Sequence, residues 1–216
     1  MDMHPSVLPM GRADAANSGA ISPPATERGR RTRQKLLEAA TSEFGERGFH
    51  ETSISEITRR AGVALGSFYT YFESKEAIFK ALVREFSDGV RQAAATGIED
   101  SRDSFEKERD ALSAFLDFAR EHKEIYRIID EAEFVDPASY RAHYENTALR
   151  IHDRLKAGMV SGDFNKELEE AHAWAVMGMN VFLGLRYAVW ARPEDDFEAI
   201  PEIARSILTN GLSAPD

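Results

Sequence analysis

Side chains able to do bond-making chemistry are few in this chain of 216 residues. With no cysteine, disulfides, thiolate nucleophiles and thiolate zinc sites are excluded, and the composition is compatible with a reducing cytoplasm, where the chain is expected to act. His122, His143, His152 and His172 are not three or four apart, so no helix face presents two of them to a metal. Glu131 and Glu133 fall on different sides of a helix, which argues against a paired-carboxylate site. There is no phosphate-cradling glycine loop and no nucleophile elbow. The expectation is therefore no catalysis, no metal and no cofactor. What remains is contact chemistry. Gly66, Ser67, Tyr69, Thr70 and Tyr71 crowd small hydroxyls and aromatics into six positions, and Lys75 follows. Upstream, ERGRRTRQK places Arg28, Arg30, Arg31, Arg33 and Lys35 within eight residues. Such groups meet phosphates and base edges.

Two short helices and a turn must position these groups, and the run TSISEITRRAGVALGSFYTYFESKE, residues 52–76, spells them out. Ser53 with Glu56 three residues on is a capping box, so a helix starts at Ser53. Ile54, Ile57 and Ala61 share one apolar face and leave Ser55, Thr58 and Arg59 outside. Gly62 stops this helix. A second begins near Leu65 and buries Phe68 and Phe72, four apart. A third opens at Ser74 and continues through Ile78, Phe79, Leu82, Phe86 and Val90, which predicts a bridge over 74–90. The spacing alone also fits an ordinary helical hairpin with solvated polar faces.

The longer run GFHETSISEITRRAGVALGSFYTYFESKEAIF resembles the DNA-binding domain of TetR-family transcriptional regulators. Gly48, Phe49, Ile57, Ala61, Gly62, Val63, Gly66, Tyr69, Phe72, Ser74, Lys75 and Glu76 all fall on that family's pattern. The resemblance implies that Ser53, Ser67, Tyr69 and Lys75 position phosphates and that Ser55, Leu65, Gly66, Thr70 and Tyr71 face bases. It also implies that basic residues ahead of the first helix, here Arg30 and Arg31, touch the DNA backbone. Ala64 departs from the pattern, standing where the family usually has Ser or Thr, so the recognition helix lacks its usual cap at a cost of roughly 1 kcal/mol.

Charge divides the chain. Residues 1–84 carry 12 Lys/Arg against 10 Asp/Glu, and residues 85–216 carry 15 against 27, which orients the N-terminal part toward a polyanion. Residues 1–27 are expected as a disordered tail, 28–75 as a three-helix helix–turn–helix domain, and 76–216 as a helical effector-binding and dimerisation domain. The first helix has Leu36, Leu37, Ala40 and Phe44 inside and ends at Gly45 and Gly48. No stretch alternates long enough to propose a strand, so the fold class is all-α.

The apolar run Ala173 to Trp190 is interrupted by Asn180 and Arg186, and a membrane span would need about 20 such residues without a buried arginine. No membrane partner is expected. A helix greasy on all sides needs cover from a second chain. This suggests a homodimer built on the last two helices, through Gly178, Phe182 and Gly184 on one and Ile203 and Ile207 on the other, and the resemblance implies the same. Phe115, Phe118, Tyr126, Phe134, Tyr140, Tyr144, Trp174 and Met177 are candidate linings of a small-molecule pocket, and equally candidates for plain core. The run EHKEIYRIIDEAEFVDPASYRAHYE resembles TetR-type regulators of fatty-acid or aromatic-acid catabolism, which implies an acyl-CoA effector. The expected function is a ligand-released repressor of a palindromic double-stranded operator. The alternatives are a regulator of the same fold with no small effector or with a protein partner, and a helical enzyme carrying a helix–turn–helix.

Overall fold

The computed structural model describes residue 24, residues 26–164 and residues 167–212. The tail expected over residues 1–27 lies outside them except for residues 24, 26 and 27, and the last two of these belong to the first helix, not to a tail. Thr26 caps helix α1 (Glu27–Arg47) by accepting the Gly29 N–H at 3.1 Å. Leu36, Leu37, Ala40 and Phe44 point inward. Gly45 does not end this helix. A Cβ there would lie 2.7 Å from Glu124 Cβ, so the missing side chain lets another helix pass close by, and the chain turns only at Gly48, with φ 87°.

Helix α2 (Ile54–Ala61) has the expected capping box, Ser53 accepting from the Glu56 N–H and Glu56 accepting from the Ser53 N–H at 2.8 Å, and it stops at Gly62 with φ 67°. Thr58 is not outside as expected: it is buried and donates to the Ser55 carbonyl at 3.1 Å. Buried Glu43 accepts from Arg60 Nε at 2.8 Å and sits 3.6 Å from Arg47, and the Arg60 pair ties α1 to α2 by charge. Helix α3 (Leu65–Phe68) is one turn long and starts at Ala64 with no side-chain cap. Residues 69–71 continue as a turn, closed by Tyr71 N–H to the Phe68 carbonyl at 2.9 Å. Phe68 and Phe72 are buried, as their spacing predicts. Ser74 caps helix α4 (Lys75–Gly97), which runs two turns beyond the expected end near residue 90. It can do so because Gly97 packs against the Asp110 carbonyl and Ala114, where a Cβ would approach to 2.7–2.9 Å.

The remaining helices are α5 (Ser104–Glu121), α6 (Glu124–Val135), α7 (Pro137–Ser161), α8 (Glu170–Gly184) and α9 (Ala199–Leu212). Asp136 separates α6 from α7, whose first turn accepts Pro137 because no N–H is needed there. Gly162, at φ 87°, ends α7. Helix α8 runs on through a π-helical turn, Leu185–Val189. Among the described residues there are only helices and their connections, and the fold is all-α with the helix–turn–helix unit at its N-terminal end. No helix among the described residues is long and apolar enough to cross a membrane.

The cores do not follow the expected boundary at residue 75. Leu36, Phe44, Ile57, Phe68, Ile78 and Phe79 of the N-terminal helices share one continuous cluster with Ile125, Ile128, Ile129 and Ala132 of α6. A second cluster joins α7 to α8 and reaches Leu208, and a third joins α5 to α9. Helix α8 is covered on one side only. Ala173, Val176 and Met177 are buried, while Phe182 is 71% exposed, and in α9 Ile203 is 54% and Ile207 58% exposed. Gly178 is open to solvent on this outer face. Gly184 is a correction: it faces inward, where a Cβ would lie 2.2 Å from Tyr126 Oη and 2.8 Å from the Phe115 ring. Its small size serves packing within the chain. Six residues separate it from Gly178, about 120° around a helix, so the two glycines never shared a face.

Candidate nucleic-acid interface and effector cavity

The reading surface is built by burying its neighbours. Phe68 and Phe72 anchor α3 and the following turn in the core, and this turns Leu65, at 49% exposure, and Tyr69, at 53%, outward with Thr70. Gly66 has open space where a Cβ would be. Ser53 and Ser55 are exposed at the start of α2. Ser67 and Tyr71 are half-buried, and Tyr71 packs against the core, so its ring offers an edge where a free side chain was expected. Arg30 and Arg31 are exposed but share Glu27, at 2.8 and 3.0 Å. Arg33 lies over the Phe72 ring at 5.3 Å.

Lys75 departs most from the expected role. Its ammonium donates to the Phe49 carbonyl at 2.7 Å and the Thr52 carbonyl at 2.8 Å, and it sits 4.3 Å from the Phe49 ring centroid. Two of its three N–H groups are thus spent clamping the start of α4 to the connection between α1 and α2. At most one is left for a phosphate.

A second clamp fastens α6 to the same region, and sequence reasoning missed it. Arg127 donates to the Gly45 and Glu46 carbonyls at 3.2 and 3.0 Å, satisfying the free end of α1. Glu131 accepts the Phe49 N–H at 2.7 Å. The Arg and Glu are four apart on α6, a signal visible in the sequence, but their targets are backbone groups some eighty residues away.

The opposite side of α6 walls a cavity. Val90 and Ala94 of α4, Phe115 of α5, Tyr126 and Ile129 of α6, Tyr144, Thr147, Arg150 and Arg154 of α7, and Met177, Asn180 and Val181 of α8 line it, with about 790 Å³ of space between the atoms including its open mouth. Of the expected lining, Phe115, Tyr126, Tyr144 and Met177 are there. Phe118 is not: it packs on Gly89 and lies 4.6 Å from the His122 ring. Phe134 is 79% exposed, and Trp174, 38% exposed, bonds Glu170 at 3.2 Å, so both point away from the cavity. Periodicity marked these residues as apolar but could not say which of several helix neighbours they meet.

The polar groups of the cavity were also missed. Tyr126 donates to the Val181 carbonyl at 2.7 Å, and burial raises its pKa beyond the usual phenol range. His143 is held neutral, its pKa lowered to about 4 by burial and then by the Arg150 charge. Its Nδ1 is 2.8 Å from Ser87 Oγ, and that hydroxyl already donates to the Val83 carbonyl at 2.7 Å, so Nδ1 carries the imidazole proton. Arg154 is matched by buried Glu108 in a two-bond pair at 2.6 and 2.8 Å. Among the described residues no group of three His, Asp or Glu side chains could hold a metal.

A short, anchored recognition helix presented outward on a three-helix head defines a helix–turn–helix DNA-binding regulator. Residues 36–82 match the family described as bacterial regulatory proteins of the tetR family. The HTH-type transcriptional regulator YdgC of Bacillus subtilis is 32% identical over 157 residues, covering 70% of this chain and 78% of that one. The HTH-type transcriptional repressor KstR2 of Rhodococcus jostii is 26% identical over 198 residues, covering 87% and 93%. The structure is similar to that of FadR from Bacillus subtilis in complex with stearoyl-CoA, with a TM-score of 0.69, 19% identity, and coverage of 82% and 98%. The chain belongs to the TetR family of transcriptional regulators.

Proposed function

We propose that the chain acts in the cytoplasm as a homodimeric repressor of a two-fold operator, catalyses no reaction, and leaves the DNA when a small effector with an apolar body enters the cavity. One observation carries this reading: α4 walls the cavity with Val90 and Ala94 near one end and carries the Lys75 clamp beside the reading surface at the other. A helix of 23 residues spans about 34 Å, so a wedge at one end displaces the other. Two reading heads fit successive major grooves only near 34–36 Å apart or a multiple, so a shift of a few ångströms unseats one. The repressor named KstR2 and the FadR complex with stearoyl-CoA support repression and an apolar anionic effector, acyl-CoA thioesters being one such class.

The test starts with operator selection from random duplexes, followed by calorimetric titration of acyl-CoA thioesters and their free acids into free and operator-bound protein. Effector affinity is expected to fall about 5- to 150-fold when operator is bound, and operator affinity by the same factor when effector is bound. Equal affinities overturn release by that ligand, and effector binding that strengthens with operator would make the protein an effector-dependent binder instead.

A further inference from the structure

The cavity wall carries a cation, Arg150, that no carboxylate among the described residues pairs with. Three arginines cluster at its α4–α7 side. Arg91 pairs with Asp88 at 3.3 Å, and Arg154 pairs with Glu108. Arg150, half-buried between them, donates to Thr147 Oγ1 at 2.9 Å, and among the described residues no carboxylate lies within ion-pair distance of it. Burial and its two arginine neighbours disfavour its charge. A guanidinium cannot shed its proton as a lysine can, so the cost of holding it there stands until an anion arrives. The neighbouring polar groups do not supply one. His143 is neutral, Thr147 Oγ1 spends its proton on the His143 carbonyl at 2.8 Å, and Asn180 is uncharged. The acidic residue on the wall, Asp130, sits among Tyr126, Tyr140, Tyr144 and Glu133, whereas the charges felt at Arg150 are Arg91, Arg154 and Asp88. The cavity is thus polarised. A carboxylate would be drawn to the Arg150 side and repelled from the Asp130 side.

We propose that the effector is a monoanion with an apolar body, a free carboxylic acid, whose carboxylate pairs with Arg150 while its hydrocarbon lies against Phe115, Ile129 and Met177. This rests on the effector reading above and narrows it. A thioester fits the arrangement less well. Its acyl end carries a neutral carbonyl, which leaves Arg150 unpaired, and its several phosphate charges need several free cations, whereas Arg91 and Arg154 already have partners. The planar guanidinium with open N–H groups matches a carboxylate in a two-bond geometry.

The experiment measures binding by calorimetry to the full-length protein without DNA. The probes are straight-chain acids from hexanoate to hexadecanoate and, at the best length, the matching alcohol, methyl ester, primary amine and CoA thioester. The acid is expected to bind at least about tenfold more tightly than the other four. Arg150→Gln should remove that advantage, so that acid and alcohol bind alike, Arg150→Lys should keep part of it, and Arg150→Glu should prefer the amine. The wild-type series stands even if a variant does not fold. Equal binding of acid and alcohol, or a thioester that binds best, overturns the anchor while leaving effector release intact. Failure of every acid to bind overturns it as well, and if the same probes, added in a separate titration of protein with operator, never weaken operator binding, the effector reading falls on its own.

Discussion

Lys75 illustrates how a side chain with an obvious external use can be held by the fold. Its position at the start of α4 suggests a phosphate contact, yet its ammonium bridges two carbonyls of a different connection. Hydrogen bonds to a charged donor contribute about 1.5–3 kcal/mol each, and a carbonyl left unpaired adds a penalty. Lys75→Met is therefore expected to lower the unfolding free energy by about 2–4 kcal/mol in urea titration and to weaken binding to all DNA sequences alike. Thr70→Ala, which removes an exposed hydroxyl, should leave stability within about 0.5 kcal/mol and change base preference at particular operator positions by about 1–3 kcal/mol. A Lys75→Met protein as stable as the wild type would show that the clamp contributes nothing to the fold. Gly184 makes the same point in reverse. A glycine in an apolar helix suggests approach by another chain, and here it admits the Tyr126 hydroxyl and the Phe115 ring of its own chain.

At the scale of elements, α6 is as well placed as α4 to carry the proposed effector signal. One side of it, Ile125, Tyr126 and Ile129, walls the cavity, while Arg127 and Glu131 hold the end of α1 and the backbone at Phe49. Tyr126 and Asp130 also border the groove that α6 forms with Thr41 and Gly45 of α1. A ligand that shifts α6 therefore pulls on the reading head directly, besides the lever of α4. The double variant Arg127→Ala, Glu131→Ala should bind effector within about twofold of the wild type but show a smaller mutual effect between effector and operator, its coupling reduced by about 0.5–2 kcal/mol. Titrations of each ligand in the presence and absence of the other measure this. Unchanged coupling would leave α4 as the sole carrier.

At the scale of the molecule, one chain leaves an apolar face formed by α8 and α9, with Phe182, Ile203 and Ile207 each more than half exposed. Their exposure supports the proposed pairing of these helices in a four-helix interface, which should bury more than about 1,000 Å² in all. Such an interface is self-complementary, so one substitution acts twice. Phe182→Glu with Ile207→Glu should yield monomers in sedimentation and abolish tight binding to an operator with two half-sites, while single half-site binding and the helical content remain. A dimer that survives both changes would move the interface elsewhere.

The sequence by itself determined what depends on neighbours in the chain. Capping at Ser53 and Ser74, the stop at Gly62, burial of Phe68 and Phe72, and the absence of a cap at Ala64 are properties of a few consecutive residues, and all are legible in the order of amino acids alone. So is the apolar surplus of α8, because a helix too greasy for one chain to cover is a statement about composition. Only the tertiary structure decided partners far apart in the chain. Periodicity says that Phe118, Tyr126 and Trp174 are apolar residues on helices, but whether each meets core, cavity or solvent depends on how α4, α5, α6, α7 and α8 cross. It also cannot distinguish Arg150 from Arg154. Both lie on α7, four residues apart, and Arg154 alone has a carboxylate partner among the described residues because the packing of α5 on α7 places Glu108 beside it.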